Sequence, residues 1–305
     1  MKFRSNSWLA VSLLLLSLVL SACTAASDNN PEEVRSSDVQ ADSKESRTAD
    51  GAEPDQNKKE DHQAFLYCKE AADKGDPQSQ YAVADAYYFG HNAEQDYEKA
   101  LVYFHRILSN PKADRRLRLK VKSEIGEMHY KGLGVIRNPQ KGLHIMSQAA
   151  KEGDISTQVK LGTIYFENGG SENYKKSYYW FSKAAEAKSP ADPASKARMK
   201  AVQSQARFMV GLMNFAGAGT SQKTDRAYKY FQPAAEDGSD DAKGVVGLMY
   251  IYGSGAAKDE EKGRQLIDEA AQKSKNAEKI SRWLAENPDE KRFPDVFLLL
   301  TAKNK

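Results

Sequence analysis

The sequence predicts an all-α fold, a solenoid of stacked helix pairs, and three observations carry that expectation. A short series of residues recurs five times in register. Each copy runs from one apolar helical stripe, through a glycine turn, into a second stripe. Two helices cannot close a core alone, so each pair must stack on the next.

The clearest copy starts at Gly126 and continues with Tyr130, Gly132, Gly134, Asn138, Lys141 and Ala149-Ala150. The series starts again at Gly247, with Gly253, Gly255, Asp259, Lys262 and Ala270-Ala271. From Gly211 it reads Phe215, Gly217, Gly219, Arg226-Ala227, Tyr230-Phe231 and Ala234-Ala235. From Gly162 it reads Tyr165, Gly169, Gly170, Lys176, Trp180-Phe181 and Ala184-Ala185, one residue out of step around the turn. A degraded first copy has Ala84 in the starting place, then Tyr88, Gly90, Asp96, Lys99-Ala100 and Tyr103-Phe104. It has Asn92 for the second turn glycine and Ile107-Leu108 for the alanine pair. The intact period is 36 residues, as between Gly126 and Gly162. Insertions at 109–114 and from Lys188 to about Gln203 lengthen two gaps.

Taken from the N-terminus, Lys2 and Arg4 precede an apolar run from Leu9 to Leu20, closed by Leu20-Ser21-Ala22-Cys23. The run is short for a membrane span and has the layout of a secretory signal, residues 1–22. Residues 23–61 lack apolar periodicity, and between 28 and 61 they carry eleven acids and five bases. Such a stretch buries too little apolar surface to offset the entropy of ordering, so a disordered acidic tether is expected. Its root-mean-square reach would be about 35 Å. Ala71-Ala72 followed by Gly75-Asp76 has the form of the end of a pair, a partial unit capping the N-terminal side.

Within each copy, residues before the glycines form helix A, as in the stripe Leu117, Val121, Ile125 and Met128. The turn glycines end helix A. Asp96, Asn138 and Asp259 cap helix B, with Pro139 in the favoured first position. Helix B then runs through an aromatic or aliphatic pair to two alanines, whose small size lets neighbouring helices approach. The repeat domain is expected over 62–275 and a capping segment over 276–305. There Ile280, Trp283 and Leu284 suit a terminal helix, which Asn287-Pro288 and Phe293-Pro294 break. The apolar run from Val296 to Leu300 is expected to be buried, with a partner-binding or self-association segment as the rival.

Two resemblances follow from these residues. Leu20-Ser21-Ala22-Cys23 resembles the lipobox of bacterial lipoproteins, which implies cleavage before Cys23 and lipidation of its sulfur and amine. Several acyl chains anchor far more firmly than one. Thr24, standing where Asp would retain a Gram-negative lipoprotein at the inner membrane, implies the outer membrane, with the periplasmic side expected. With Cys23 acylated, Cys68 would be an unpaired thiol, and Phe65, Leu66, Ala71 and Ala72 around it place it in a core.

The pattern of origin glycine, Tyr, two turn glycines, Asp-x-x-Lys-Ala, aromatic pair and Ala-Ala resembles the Sel-like repeat (SLR) family, related to the tetratricopeptide repeat. The resemblance covers about residues 65–275. It implies a right-handed α/α superhelix, here of about five helix-turn-helix repeats plus terminal caps. It also implies a binding platform that assembles other proteins, which fold alone does not settle.

No chemistry-bearing motif competes with that reading. The Gly-x-Gly pairs lack the further residues of a phosphate loop and all sit at one place in the repeat. His62, His91, His105, His129 and His144 fit no metal pattern, and neither a His-Glu-x-x-His nor a Gly-x-Ser-x-Gly is present. No catalytic, metal or cofactor-binding residue is therefore predicted. The net charge of +3 is too small for a nucleic-acid protein, although the body is basic and the tether acidic. The densest positive feature is Arg115, Arg116, Arg118, Lys120 and Lys122, expected on the outer side of a helix whose Leu117 and Val121 face the core. With the A-helix aromatics Tyr87, Tyr88 and Tyr130, these residues are the candidate partner-binding set. The partners expected are envelope proteins, the membrane through the lipid, and an anionic glycan as the alternative. A polysaccharide-associated scaffold and a host-interaction factor are the rival functions, and an enzyme is the least favoured.

Overall fold

The computed structural model describes residues 56–188 and 193–301, and among them there are helices and connecting turns but no strand. The signal segment, Cys23 and most of the expected tether lie outside the described residues. The helices fall into two compact units, divided after Ile145.

In the N-terminal unit, α1 (Gln56–Asp73) is followed by the pair α2 (Pro77–Phe89) and α3 (Tyr97–Ser109). Then come α4 (Arg115–Lys131) and α5 (Pro139–Lys151), within which the unit ends. Helix α1 begins at Gln56, so residues 56–61, expected as tether, are helical. Its apolar side, with Phe65, Cys68 and Ala72 buried, gives that helix a core to dock on. The core continues through Tyr81, Val83, Phe104, Ile107, Leu117, Val121, Ile125 and Met128. The C-terminal unit holds α6 (Ile155–Asn168), α7 (Ser171–Ala185), α8 (Pro193–Ala216), α9 (Thr224–Glu236), α10 (Asp240–Tyr252) and α11 (Glu260–Ala271). It is closed by α12 (Lys275–Glu286) and the short α13 (Val296–Thr301).

Each B helix expected to be capped is capped: Asp96, Asn138 and Asp259 accept from the backbone N–H of Lys99, Lys141 and Lys262 at 2.9, 2.9 and 3.1 Å. The A helices carry the same device, with Asp76, Asp114 and Asp154 each accepting a backbone N–H at 2.7 Å. Each such cap contributes about 1 kcal/mol by satisfying an otherwise orphaned donor.

The starting glycines have a packing reason. A Cβ at Gly162, Gly211 or Gly247 would lie 2.8, 2.6 or 2.6 Å from Phe181, Phe231 or Ile267 of the following B helix. All three side chains are buried. The second turn glycine seats a pair on the one before it. Gly134, with φ 65°, has room for no Cβ because the Tyr97 backbone of α3 would be 2.7 Å away. In the first copy Asn92 takes the same left-handed conformation, which asparagine tolerates better than most residues.

Gln80 and Gln158, one turn before the starting position, donate to Ala72 O and Ala150 O of the preceding helix at 3.2 and 2.8 Å. Both insertions are built in. Asn110 ties the 109–114 connection to Gly75 O and Gln80 Oε1, each at 3.0 Å, and Ala113 is buried. The second insertion lengthens helix A, giving α8 its 24 residues.

Cys68 is buried on the inner side of α1, as expected. The chain's other cysteine, Cys23, lies outside the described residues.

Candidate functional site

A lysine over a tyrosine ring looks at first like a site, and the repeats show what it is. Lys99, Lys176 and Lys262 place Nζ 5.4, 5.4 and 4.2 Å from the ring centroids of Tyr87, Tyr165 and Tyr250. Lys262 also donates to the Tyr250 hydroxyl at 3.0 Å, and the Tyr228 hydroxyl lies 3.1 Å from it. Hydrogen bonds from Tyr228 and Lys262 lower the Tyr250 pKa, while burial raises that of Tyr228. In isolation this would resemble an activated phenol. Its recurrence in three copies makes it a device that holds helix A to the start of helix B. In the second copy the tyrosine position holds His129. Its pKa is lowered by burial, with the charge of Lys141 acting the same way.

What recurrence does not explain lies between α2 and α4. Tyr81, Asp85 and Phe89 follow one face of α2 at a spacing of four residues, and Arg116, Lys120 and Glu124 do so on α4. Lys120 brings Nζ to 4.3 Å from the Tyr81 ring centroid. The Tyr81 hydroxyl is hydrogen-bonded to Asp85, and Glu124 and Tyr88 are near enough for their charges to act on it. Burial pushes the Asp85 pKa up, against the opposing pull of Lys120, His91 and the Tyr81 hydroxyl. Burial also raises Tyr81, with Glu124 and Asp85 adding to it. Phe89, 37% exposed, stands at the end of the strip, stacked on His91 at 5.7 Å and edge-on to Tyr88 at 4.8 Å. The strip thus offers a carboxylate, two cations and an aromatic edge side by side.

The structure therefore divides the candidate set. Arg116, Lys120 and Tyr88 belong to this strip. Arg115 is exposed at the first turn of α4, and Lys122 is half-buried. Arg118 is turned inward, donating to Asn110 O at 3.0 Å, so it braces the inserted loop. The expected outer basic face is thus narrower than the run of five suggests, because Leu119 is buried along with Leu117 and Val121. Tyr87 packs between Phe65 and Tyr103, with ring centroids 5.6 and 6.1 Å away. Tyr130 is half-buried at the end of α4, and a Cβ on Gly142 would meet it. The sequence reading missed Tyr81, Asp85 and Glu124, although their four-residue spacing along Tyr81-Asp85 and Lys120-Glu124 was the signal available. Among the described residues no group of three or more His, Cys, Asp or Glu could hold a metal ion. A cavity of about 540 Å³ is lined by Lys223, Thr224, Asp225, Arg226 and Lys229 at the start of α9.

In the C-terminal unit the corresponding helix face is covered. Phe215 of α8 and Tyr252 of α10 both meet Phe293, at ring-centroid distances of 5.1 and 5.7 Å. The Tyr252 hydroxyl donates to Glu290 O at 3.1 Å. Val296 is fully buried, and Leu299 and Leu300 pack on the same core. Burial is thus the outcome for these residues of the apolar run; Phe297 and Leu298 have no described side chains.

Capped helix pairs joined by glycine turns, seated on one another within each unit and without a convergent metal cluster among the described residues, define a helical repeat scaffold. The Sel1 repeat model matches residues 50–76, 77–109, 123–154, 155–189, 204–239 and 244–275, more than half of the chain, and the chain belongs to the Sel1 repeat family. The first match turns the expected partial N-terminal unit into a sixth repeat. Proteins of this family generally serve as protein–protein interaction scaffolds. The fold is similar to that of a Sel1 repeat protein from Oxalobacter formigenes, at 19% identity and a TM-score of 0.57. That match covers 79% of this chain and 89% of the other. A protective antigen, c5321, of uropathogenic Escherichia coli strains with an SLR fold matches at 21% identity and a TM-score of 0.41, over 80% of this chain and 60% of its own.

Proposed function

We propose that this chain is a lipid-anchored, non-catalytic scaffold of the bacterial cell envelope that binds protein partners through the strip between α2 and α4. The observation that carries the proposal is the pairing of Asp85 and Lys120 around Tyr81 beside the half-exposed Phe89. Unlike the lysine–tyrosine pairs, this group is not repeated among the described residues. An arrangement with both charge signs and an aromatic edge suits a polypeptide surface, where aromatic residues anchor and charges set register. Cys23 would carry the lipid, holding the repeats at the periplasmic side of the outer membrane. Among the described residues no helix is long and apolar enough to cross a membrane.

The test is a photo-crosslinking residue placed at Phe89 or Arg116 in the native chain in cells, followed by mass spectrometry. One recurrent envelope protein is expected, with its yield falling at least tenfold in a Lys120→Glu variant of unchanged thermal stability. Recurrent capture that ignores Lys120→Glu would remove the strip from the interface. No recurrent protein, together with salt-sensitive binding of isolated envelope glycan, would replace this reading with the polysaccharide one.

A further inference from the structure

The C-terminal segment does more than end the solenoid. The last helix pair already has its cover: Ala277 and Ile280 of α12 are completely buried, and a Cβ on Gly244 of α10 would meet Ala277 at 2.9 Å. Beyond α12 the chain nevertheless returns to α8, two A helices earlier. It does so without regular secondary structure over residues 290–295. Phe293 enters between Phe215 and Tyr252, Pro294 is buried behind it, and Val296 is fully buried two residues on. Lys291 and Arg292 remain outside. The described tie from the helices to this stretch by hydrogen bond is the Tyr252 hydroxyl on Glu290 O. Side chains, not a backbone ladder, hold the segment in place. Phe215 also occupies the repeat position of Tyr88 in the first copy, four residues after the starting residue. The face used by the strip in one unit is the face occupied by the chain itself in the other.

Resting on the scaffold reading, we infer that the α8–α10 face is a groove for an extended partner segment carrying an aromatic-proline pair followed by a branched aliphatic residue. Residues 290–296 are its resident occupant and give way when that partner binds. The occupant's chemistry is read from the occupant present. An aromatic ring fills the space between Phe215 and Tyr252, and proline lowers the entropy lost on adopting the extended form. The branched side chain fills the apolar floor. Because the occupant is tethered, it competes at a high effective concentration, and the intact chain keeps its groove closed to weak ligands.

The test uses the full chain with a protease site inserted between Pro288 and Asp289, and a fluorescent peptide spanning residues 288–299 as the probe. After cleavage the helical circular dichroism should be retained, and the probe should exchange into the groove. A Phe293→Ala probe should bind at least tenfold more weakly, and the uncut chain should take up neither. Loss of helicity on cleavage, or a cut chain that never exchanges its own segment, would make the segment an integral cap and overturn the inference. Equal binding of the Phe293→Ala probe would overturn it as well. A dimer of the uncut chain that exchanges this segment between copies would assign the groove to a second copy instead. A failure of partner capture at Phe89 or Arg116 would leave these readouts unaffected, so the two proposals fail separately.

Discussion

Replacing Gly211 by alanine tests the packing reason for the repeat's starting glycine. In a helix interior the exchange should gain about 1 kcal/mol, because alanine restricts the unfolded chain and suits the helix better than glycine. Here the new methyl would lie 2.6 Å from Cε1 and 2.7 Å from Cδ1 of Phe231, whose ring is completely buried. Favourable carbon contacts lie at about 3.5–4.0 Å, so the ring or the helix must move by about 1 Å. Overpacking of that kind costs about 1–3 kcal/mol, which outweighs the helix gain in most of its range. The expected net loss is about 1 kcal/mol. Phe231→Leu removes Cε1 and Cζ, two of the three ring atoms nearest the new methyl, at a cost of about 1–2 kcal/mol. In that background Gly211→Ala should be neutral or stabilising, giving a coupling of about 1–2 kcal/mol in the double-mutant cycle. Urea unfolding followed by circular dichroism measures the four stabilities. Hydrogen exchange in α8 and α9 guards against non-two-state unfolding of a repeat array. Additivity of the two changes within about 0.5 kcal/mol, or a stability gain from Gly211→Ala alone, would refute the argument.

Burial raises the folded pKa of Asp85, so its contribution to stability is complete below the unfolded value of about 3.9 and is lost as pH rises through the folded value. Asp85→Asn should therefore raise the melting temperature at pH 7, with the difference shrinking below about pH 4; a lower melting temperature at pH 7 would mean that the contacts to Lys120 and Tyr81 outweigh burial. His129 has the opposite linkage, since its folded pKa is lowered by burial: its contribution is present above about pH 6.5 and lost as pH falls through the folded value. His129→Asn should flatten stability below pH 6.5 in scanning calorimetry, and an unchanged slope would contradict the assigned direction. A lipidated Cys23 and an oxidised Cys68 exclude each other within one chain that has only these two cysteines. Protein extracted from membranes should carry its lipid on the Cys23 peptide in mass spectrometry, and Cys23→Ala should leave the membrane fraction. A Cys23→Ala protein that stays in the membrane fraction would refute the anchor.

The helix pairs were legible because a repeat states its packing several times. Gly162, Gly211 and Gly247 share one position, so a close approach of a neighbouring helix could be read there, while its contact with the side chains of Phe181, Phe231 and Ile267 could not. The caps at Asp96, Asn138 and Asp259 followed from residue type and offset. The strip was less legible, since its members come from two helices and meet only through space, as Tyr81 and Lys120 do at 4.3 Å although 39 residues apart. The basic run also misled in part. A local count of Arg and Lys carries no information about the 109–114 loop that turns Arg118 inward. The second insertion was visible as extra length, but not as an extension of helix α8. Pro193, standing where proline suits the first turn of a helix, was the signal for it.

Departures from the repeat are where a function can enter without disturbing the solenoid. The lysine–tyrosine pairs, the starting glycines and the caps each stabilise one pair on its neighbour, and in a nearly one-dimensional fold their effects stay local. A residue that differs from its counterparts therefore costs only its own contacts. Asp85 is such a residue: burial opposes its charge, and one residue after the starting position the other copies hold Glu127, Thr163, Leu212 and Leu248, of which Glu127 alone is an acid. Glu127 forms an ion pair with Lys131 one turn away on its own helix, whereas Asp85 faces Lys120 of another. Asp85 is thus the one whose partners come from two repeats. A ligand group that hydrogen-bonded Asp85 or completed its charge balance would relieve a burial cost that folding alone leaves in place. That makes the α2–α4 strip, rather than the more numerous lysine–tyrosine pairs, the place where binding has free energy to gain.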